Sequence, residues 1–310
     1  RFASGWLIAR CRLPHQRQGL RMALRLRKDQ VMDPACLRNA LSDEERRKFE
    51  EDGYLVVEDA LPPSVVAQLE GLVDQLGESR AEEVEHDGRL HLRDFLKFHP
   101  AFLDLLDWPT TFPKIWGVMG WHIQLYIAHI DIAPPLPAEA RQEARLGWHQ
   151  DSGRLNIELE TEPQPRISMK VGYFLTDTSE PGRGNFWVVP GSHKRNSLDL
   201  PEDETAQPEG AVPVCVKPGA AVFFDRRLWH SRSPNHSDIT RKVIFYGYSF
   251  RWLRPRDNLR IEDHPEVLDP IRRQLLGASR DGHGYSSPEP EDVPLKHWIA
   301  EHAGDEAVAR

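Results

Sequence analysis

The chain has 310 residues, of which 39% are hydrophobic and 28% charged, so it can bury one large core. Its formal net charge of −8 offers no basic face for a phosphate backbone and argues against nucleic acid as a partner. No apolar run approaches the roughly 20 residues of a membrane-spanning helix, so no membrane association is expected.

The first 28 residues carry Arg and Lys but no acid. Residues 1–40 are read as a disordered or spurious extension and set apart from the fold; an organelle-targeting leader is the alternative. Cys11, Cys36 and Cys215 are widely spaced and form no CxxC pair, which points to a reducing, cytoplasmic interior. The folded part is expected as one domain over 41–310, with a helical portion at 41–120, a β core at about 121–254 and a C-terminal tail at 255–310.

Ser42-Asp43-Glu44-Glu45 has the spacing of a capping box and predicts a helix that ends near Gly53. A short β-type run, Tyr54 to Val57, follows. Pro62-Pro63-Ser64 opens a second helix, in which Val65, Val66, Leu69, Leu72, Val73 and Leu76 recur at helical spacing. Prolines break residues 92–118 into short helices. After Trp121 the texture changes. Residues 122–132 read as a strand and Pro134 to Arg145 as a loop. Short β-type runs then recur near 167–175, 185–189, 212–216, 220–225 and 242–250, separated by Pro-Gly and Pro-Asn turns. Many short strands with regular turn signals predict a sandwich or jelly roll. The tail from Pro255 is polar, with one helix-like stretch at Ile271 to Leu276.

Two histidines and one carboxylate on one face of a metal leave positions open for a co-substrate and O₂. On a strand, residues i and i+2 share a side, so a His-x-Asp unit delivers two ligands to one point. The chain has three such units: His129-Ile130-Asp131, His149-Gln150-Asp151 and His236-Ser237-Asp238. The last lies in a turn after Pro234-Asn235, where Asp238 is expected to bond the backbone. His129 and Asp131 sit mid-strand and read as hydrogen-bonded interior groups. His149 follows a loop and opens a new element, and His230 ends a downstream apolar run. The expected metal ligands and catalytic centre are therefore His149, Asp151 and His230.

Arg241 opens the strand after His230, and a hairpin brings the two together on one face. A divalent ion with one aspartate carries net +1, and a bound dicarboxylate takes the cluster to −1. A guanidinium restores neutrality and grips the distal carboxylate through two parallel bonds.

At these residues the chain resembles the phytanoyl-CoA dioxygenase family, from about Phe49 to about Trp252. Trp148-His149-Gln150-Asp151 is similar to the family's metal motif. Leu175-Thr176-Asp177-Thr178, Gly184-Asn185 and Pro190-Gly191-Ser192-His193-Lys194 resemble its central signature, in which Asp177 and the Pro190 turn are structural and His193 is no ligand. The stretch from His230 to Arg241 resembles its distal motif. The resemblance implies a mainly β fold with flanking helices, a double-stranded β-helix (cupin-like jelly roll). It also implies an Fe(II)- and 2-oxoglutarate-dependent dioxygenase that uses O₂ to hydroxylate an unactivated C–H of a small molecule, releasing succinate and CO₂.

The chain departs from the family pattern at two places. Arg232 stands where a small hydroxyl residue often helps to bind 2-oxoglutarate, which leaves Ser231 or Ser233 for that contact. Ala133 stands where a basic residue often precedes the proline, which leaves Gln124 and Lys170 as the nearest polar groups for the keto-acid end. Trp148, Gln150, Arg154, Trp187 and Trp229 flank the site and are expected to meet substrate, with Arg154 hinting at an anionic one. Halogenation is disfavoured because Asp151 fills the position a halide would need. A non-catalytic jelly-roll binding module, or a cupin-like metalloenzyme without 2-oxoglutarate, is the competing reading; Arg241 argues against both.

Overall fold

The computed structural model describes residues 32–85, 88–137 and 145–309. Residues 1–31, including Cys11, and part of the Pro134 to Arg145 loop lie outside the described residues. The helices are α1 (Asp43–Asp52), α2 (Pro63–Ser79), α3 (Pro100–Asp104), α4 (Phe112–Met119), α5 (Gly153–Glu158), α6 (Pro270–Leu275) and α7 (Pro294–Ala303). The strands are β1 (Tyr54–Val57), β2 (Leu90–Arg93), β3 (Ile123–Ala133), β4 (Ser168–Phe174), β5 (Phe186–Val188), β6 (Val212–Val214), β7 (Ala221–Asp225), β8 (His230–Arg232) and β9 (Arg241–Phe250).

The capping box forms as its spacing predicts. Ser42 Oγ accepts from Glu45 N at 3.2 Å, and the Glu45 carboxylate accepts from Ser42 N at 2.9 Å. The helix stops at Gly53, whose φ of 83° is the left-handed conformation a glycine tolerates best. The periodic residues of α2, Val65 through Leu76, are all buried.

Two antiparallel sheets make the jelly roll. The larger runs β1-β7-β4-β9-β3-β2 and the smaller β6-β5-β8. Strand β9 is buried along nearly its whole length because both faces of its sheet are covered. Ile244, Tyr246 and Tyr248 belong to the core that includes residues of α2, α3, α4, α6 and α7. Val243 and Phe245, on the alternate face, join Phe186, Val188 and Phe224 in a second core between the sheets. The residues that line the central cavity include several from the inner faces of both sheets.

Two boundaries differ from expectation. The fold begins before residue 41: Asp33 caps a 3-10 turn over Pro34–Asn39, Cys36 is buried, and Trp298 Nε1 donates to Met32 O at 2.9 Å. The C-terminal region is no polar appendage either. Ile271, Leu275, Leu295, Trp298 and Ile299 are buried in the main core, each such side chain stabilising by about 1.5–3 kcal/mol. Residues 294–303 hide this behind a polar exposed face.

Candidate metal centre

The arm from His149 to Asp151 runs antiparallel to the segment from Arg226 to His230. His149 N donates to His230 O at 3.1 Å, His230 N returns to His149 O at 3.0 Å, and Asp151 N donates to Arg226 O at 2.9 Å. This pairing extends the smaller sheet and sets the two imidazoles side by side, with ring centroids 4.4 Å apart. One donor atom each from His149, Asp151 and His230 lies within 4.8 Å of the other two. The Nδ1 of each imidazole faces the carbonyl two residues earlier, Gly147 O and Leu228 O, at 2.8 Å in both cases. Those carbonyls accept only from an N–H, so the arrangement leaves both Nε2 atoms with a free lone pair. Burial, and then the neighbouring His149, hold the His230 pKa down to about 3, which keeps that ring neutral.

Asp151 is buried. Burial alone would raise its pKa, but Lys170 and then His230 outweigh that and hold it well below the usual carboxylate range. Lys170 Nζ lies 2.8 Å from Asp151 Oδ1. The other oxygen, Oδ2, is buried without a hydrogen-bond partner. Immediately after it, Ser152 adopts a left-handed φ of 74° and turns the chain into α5.

Arg241 is 1% exposed, yet its Nε and Nη1 have no hydrogen-bond partner. Its guanidinium lies 5.5 Å from the centre of the Phe174 ring. Burial lowers its pKa to about 10, so it stays cationic at neutral pH. Gly184 makes room for it: a Cβ there would come within 2.9 Å of Arg241 Cδ, and the φ of 67° already favours glycine.

His149, Asp151, His230, Arg241, Lys170, Gln150 and Ser231 all line one cavity of about 660 Å³. Gln150 is held by the carbonyls of Arg195 and Arg227, and Ser231 donates to the carbonyl of Leu146. Other expected contacts do not line it. Gln124 donates to Leu253 O at 2.6 Å, farther along the strand, and Ser233 is buried outside the cavity. Trp148, Trp187 and Trp229 are next to cavity residues in sequence but absent from its wall. Arg154 is carried off on α5 and pairs with Glu158 at 2.7 Å, with its side chain 78% exposed. His193 contacts Glu50 O, and in the Asn235 turn it is Asn235 Oδ1, not Asp238, that accepts from Ser237.

Sequence reasoning missed the aromatic wall of Phe186, Phe224 and Phe245, which the alternation of β5, β7 and β9 could have indicated. It also missed His91, on the unrecognised strand β2. His91 Nδ1 lies 2.7 Å from Asp131 Oδ1, while His129 Nδ1 has no partner. The reading of both as hydrogen-bonded interior groups therefore describes Asp131 and not His129.

The orphaned atoms fit two absent groups. A bare carboxylate oxygen beside two imidazole lone pairs suits a divalent metal, and the two guanidinium nitrogens of Arg241 without hydrogen-bond partners suit a carboxylate.

The model of the phytanoyl-CoA dioxygenase (PhyH) family matches residues 49–243. The chain is 22% identical over 242 residues to an ectoine dioxygenase of Bordetella parapertussis, covering 68% of this chain and 76% of that protein. It is 24% identical over 238 residues to a probable alpha-ketoglutarate-dependent hypophosphite dioxygenase of Stutzerimonas stutzeri, covering 66% and 78%. Its fold is similar to HygX from Streptomyces hygroscopicus, solved with nickel and 2-oxoglutarate bound, with TM-score 0.56 at 18% identity over 68% of this chain and 87% of that one. It is also similar to the carbocyclase SnoK from nogalamycin biosynthesis, with TM-score 0.53 at 21% identity over 69% and 87%.

Proposed function

The chain belongs to the phytanoyl-CoA dioxygenase family, and on that premise we propose that it is an Fe(II)- and 2-oxoglutarate-dependent dioxygenase that hydroxylates an unactivated C–H bond of a small molecule. The observation that carries the reading is the buried Arg241, whose Nε and Nη1 lack partners in the cavity shared with His149, Asp151 and His230. A buried cation with unmet donors is costly unless a ligand completes it.

In this reading His149 and His230 bind the metal through Nε2 and Asp151 through Oδ2, and Arg241 grips the distal carboxylate of 2-oxoglutarate. The bound metal and co-substrate supply the oxidising power, with succinate and CO₂ as by-products. The protein's own groups do the rest. The carbonyls of Gly147 and Leu228 fix the imidazole planes, and Lys170 keeps Asp151 ionised. Phe186, Phe224 and Phe245 give the cavity an apolar inner wall that limits water. We read the described residues as one domain, and the thiol of Cys215 suits a cytoplasmic location.

Anaerobic titration with Fe(II) and 2-oxoglutarate tests this. The expected result is a weak visible charge-transfer band that needs both components and is lost in His149→Ala. Absence of 2-oxoglutarate binding by the iron-loaded wild type would favour a binding module instead.

A further inference from the structure

The cavity wall holds a second cluster of two histidines and a carboxylate that the proposed oxygenase chemistry does not use. His91 on β2 sits directly opposite Asp131 on β3, and His129 is two residues before Asp131 on the same face. A directly opposed pair plus an i−2 neighbour puts three side chains over one patch of sheet. The donor atoms confirm this: one each from His91, His129 and Asp131 lies within 4.8 Å of the other two. The His91 and His129 ring centroids are 4.6 Å apart. Stacking on Phe245, at 4.8 Å, fixes the plane of the His129 ring. His129 is only 6% exposed, and its Nδ1 is buried without a partner. An imidazole nitrogen left bare beside a carboxylate and a second imidazole is a donor set in want of a cation.

We propose that His91, His129 and Asp131 form a second divalent-cation site, with two nitrogen donors and one oxygen donor suited to a first-row transition ion such as Zn²⁺ or Co²⁺. All three residues line the same cavity as His149, Asp151 and His230. An ion held there therefore turns its remaining coordination positions toward the substrate space. Two strands supply the donors, so the site needs no movement of the chain to assemble. It stands independently of the metal role given to the first cluster.

Co²⁺ is the probe, because its visible bands report nitrogen and oxygen ligation directly. The metal-stripped full chain is titrated with CoCl₂, and bound ions are counted by elemental analysis. Wild type should bind about two ions per chain. The double variant His149→Ala/His230→Ala should keep one, and adding either His91→Ala or Asp131→Asn should remove it. The His91 side chain is 42% exposed, so its removal should leave the melting temperature near that of the parent, which separates ligand loss from unfolding. Should wild type bind one ion that His91→Ala removes and His149→Ala/His230→Ala does not, the second site stands and the first falls. The proposal is overturned if the double variant binds no Co²⁺, or if its ion survives both His91→Ala and Asp131→Asn.

Discussion

Asp151 and Lys170 are joined by an ion pair of 2.8 Å that occupies one carboxylate oxygen and leaves the other bare. Lys170 is thus placed to act on a metal held by Asp151 through that carboxylate. Lys170→Met should weaken metal binding by about 10–100-fold, the usual effect of losing a group that orients a ligand. It should also shift metal loss to higher pH. Lys170 holds the Asp151 pKa down, so without it protons compete for the carboxylate earlier on acidification. Fe(II) or Co²⁺ titrations from pH 5 to 8 measure both effects. A change confined to 2-oxoglutarate affinity would instead put Lys170 on the co-substrate.

Arg241 and Gly184 should be linked in the same way. Arg241→Lys keeps the charge and loses the paired geometry, so 2-oxoglutarate affinity should fall about 10-fold or more. Gly184→Ala should also weaken 2-oxoglutarate, because its Cβ would press on Arg241 Cδ. Neither change should alter metal affinity measured without co-substrate. Equal losses of metal and co-substrate in Arg241→Lys would show a collapsed site and not a lost clamp.

The legible parts of the chain were those whose pattern is local. Strands β3, β4, β7 and β9 announced themselves as apolar runs because both faces of the larger sheet are covered. The four residues of β2 and three of β8 are too short to show a period, and with β2 went His91. Adjacency in sequence points the tryptophans to the site, but it does not decide which neighbours reach the wall: Gln150 and Ser231 line the cavity and Trp148 and Trp229 do not. Arg154 leaves the site for another reason: after the left-handed turn at Ser152 the chain enters α5, which carries the side chain outward. Tertiary pairings such as Lys170 with Asp151 join separate elements and leave no trace in either one's own pattern.

The Ser42 cap offers a test of local structure alone. Ser42→Ala removes the oxygen that accepts from Glu45 N. It should cost about 1 kcal/mol and lower the melting temperature by about 1–2 °C. Calorimetry reads this directly, and metal and 2-oxoglutarate affinities should stay at wild-type values.

Asp257 should make stability fall as pH rises. Burial pushes its pKa up to about 6, against the donation from Ala128 N. A raised carboxylate pKa means that the fold favours the neutral acid. The group's contribution is therefore complete below its unfolded value of 3.8 and is lost as pH passes through about 6. Asp257→Asn cannot ionise, so it should be more stable than wild type at pH 7.5, by about 1–2 kcal/mol once partial exposure is discounted. That advantage should vanish near pH 4. Denaturant melts at the two pH values decide the matter, and an equal difference at both would remove Asp257 as the cause.

Asp151→Ala should turn the carboxylate position into a halide site. The change removes the carboxylate paired with the Lys170 ammonium, whose side chain is 12% exposed. It also empties a volume beside His149 and His230. A buried cation left next to a vacant space draws in a small anion. Metal affinity should drop sharply in nitrate or sulfate buffer, since one of three ligands and its negative charge are gone. Chloride should restore part of it in the variant and do nothing in wild type, where Asp151 fills the space. Succinate formation from 2-oxoglutarate should fall in the variant whatever the salt, if hydroxylation needs the carboxylate ligand. Thermal melts guard against a trivial loss of fold. If chloride raises metal affinity equally in both proteins, the anion acts elsewhere, and the pairing of Asp151 with Lys170 is not what reserves that position.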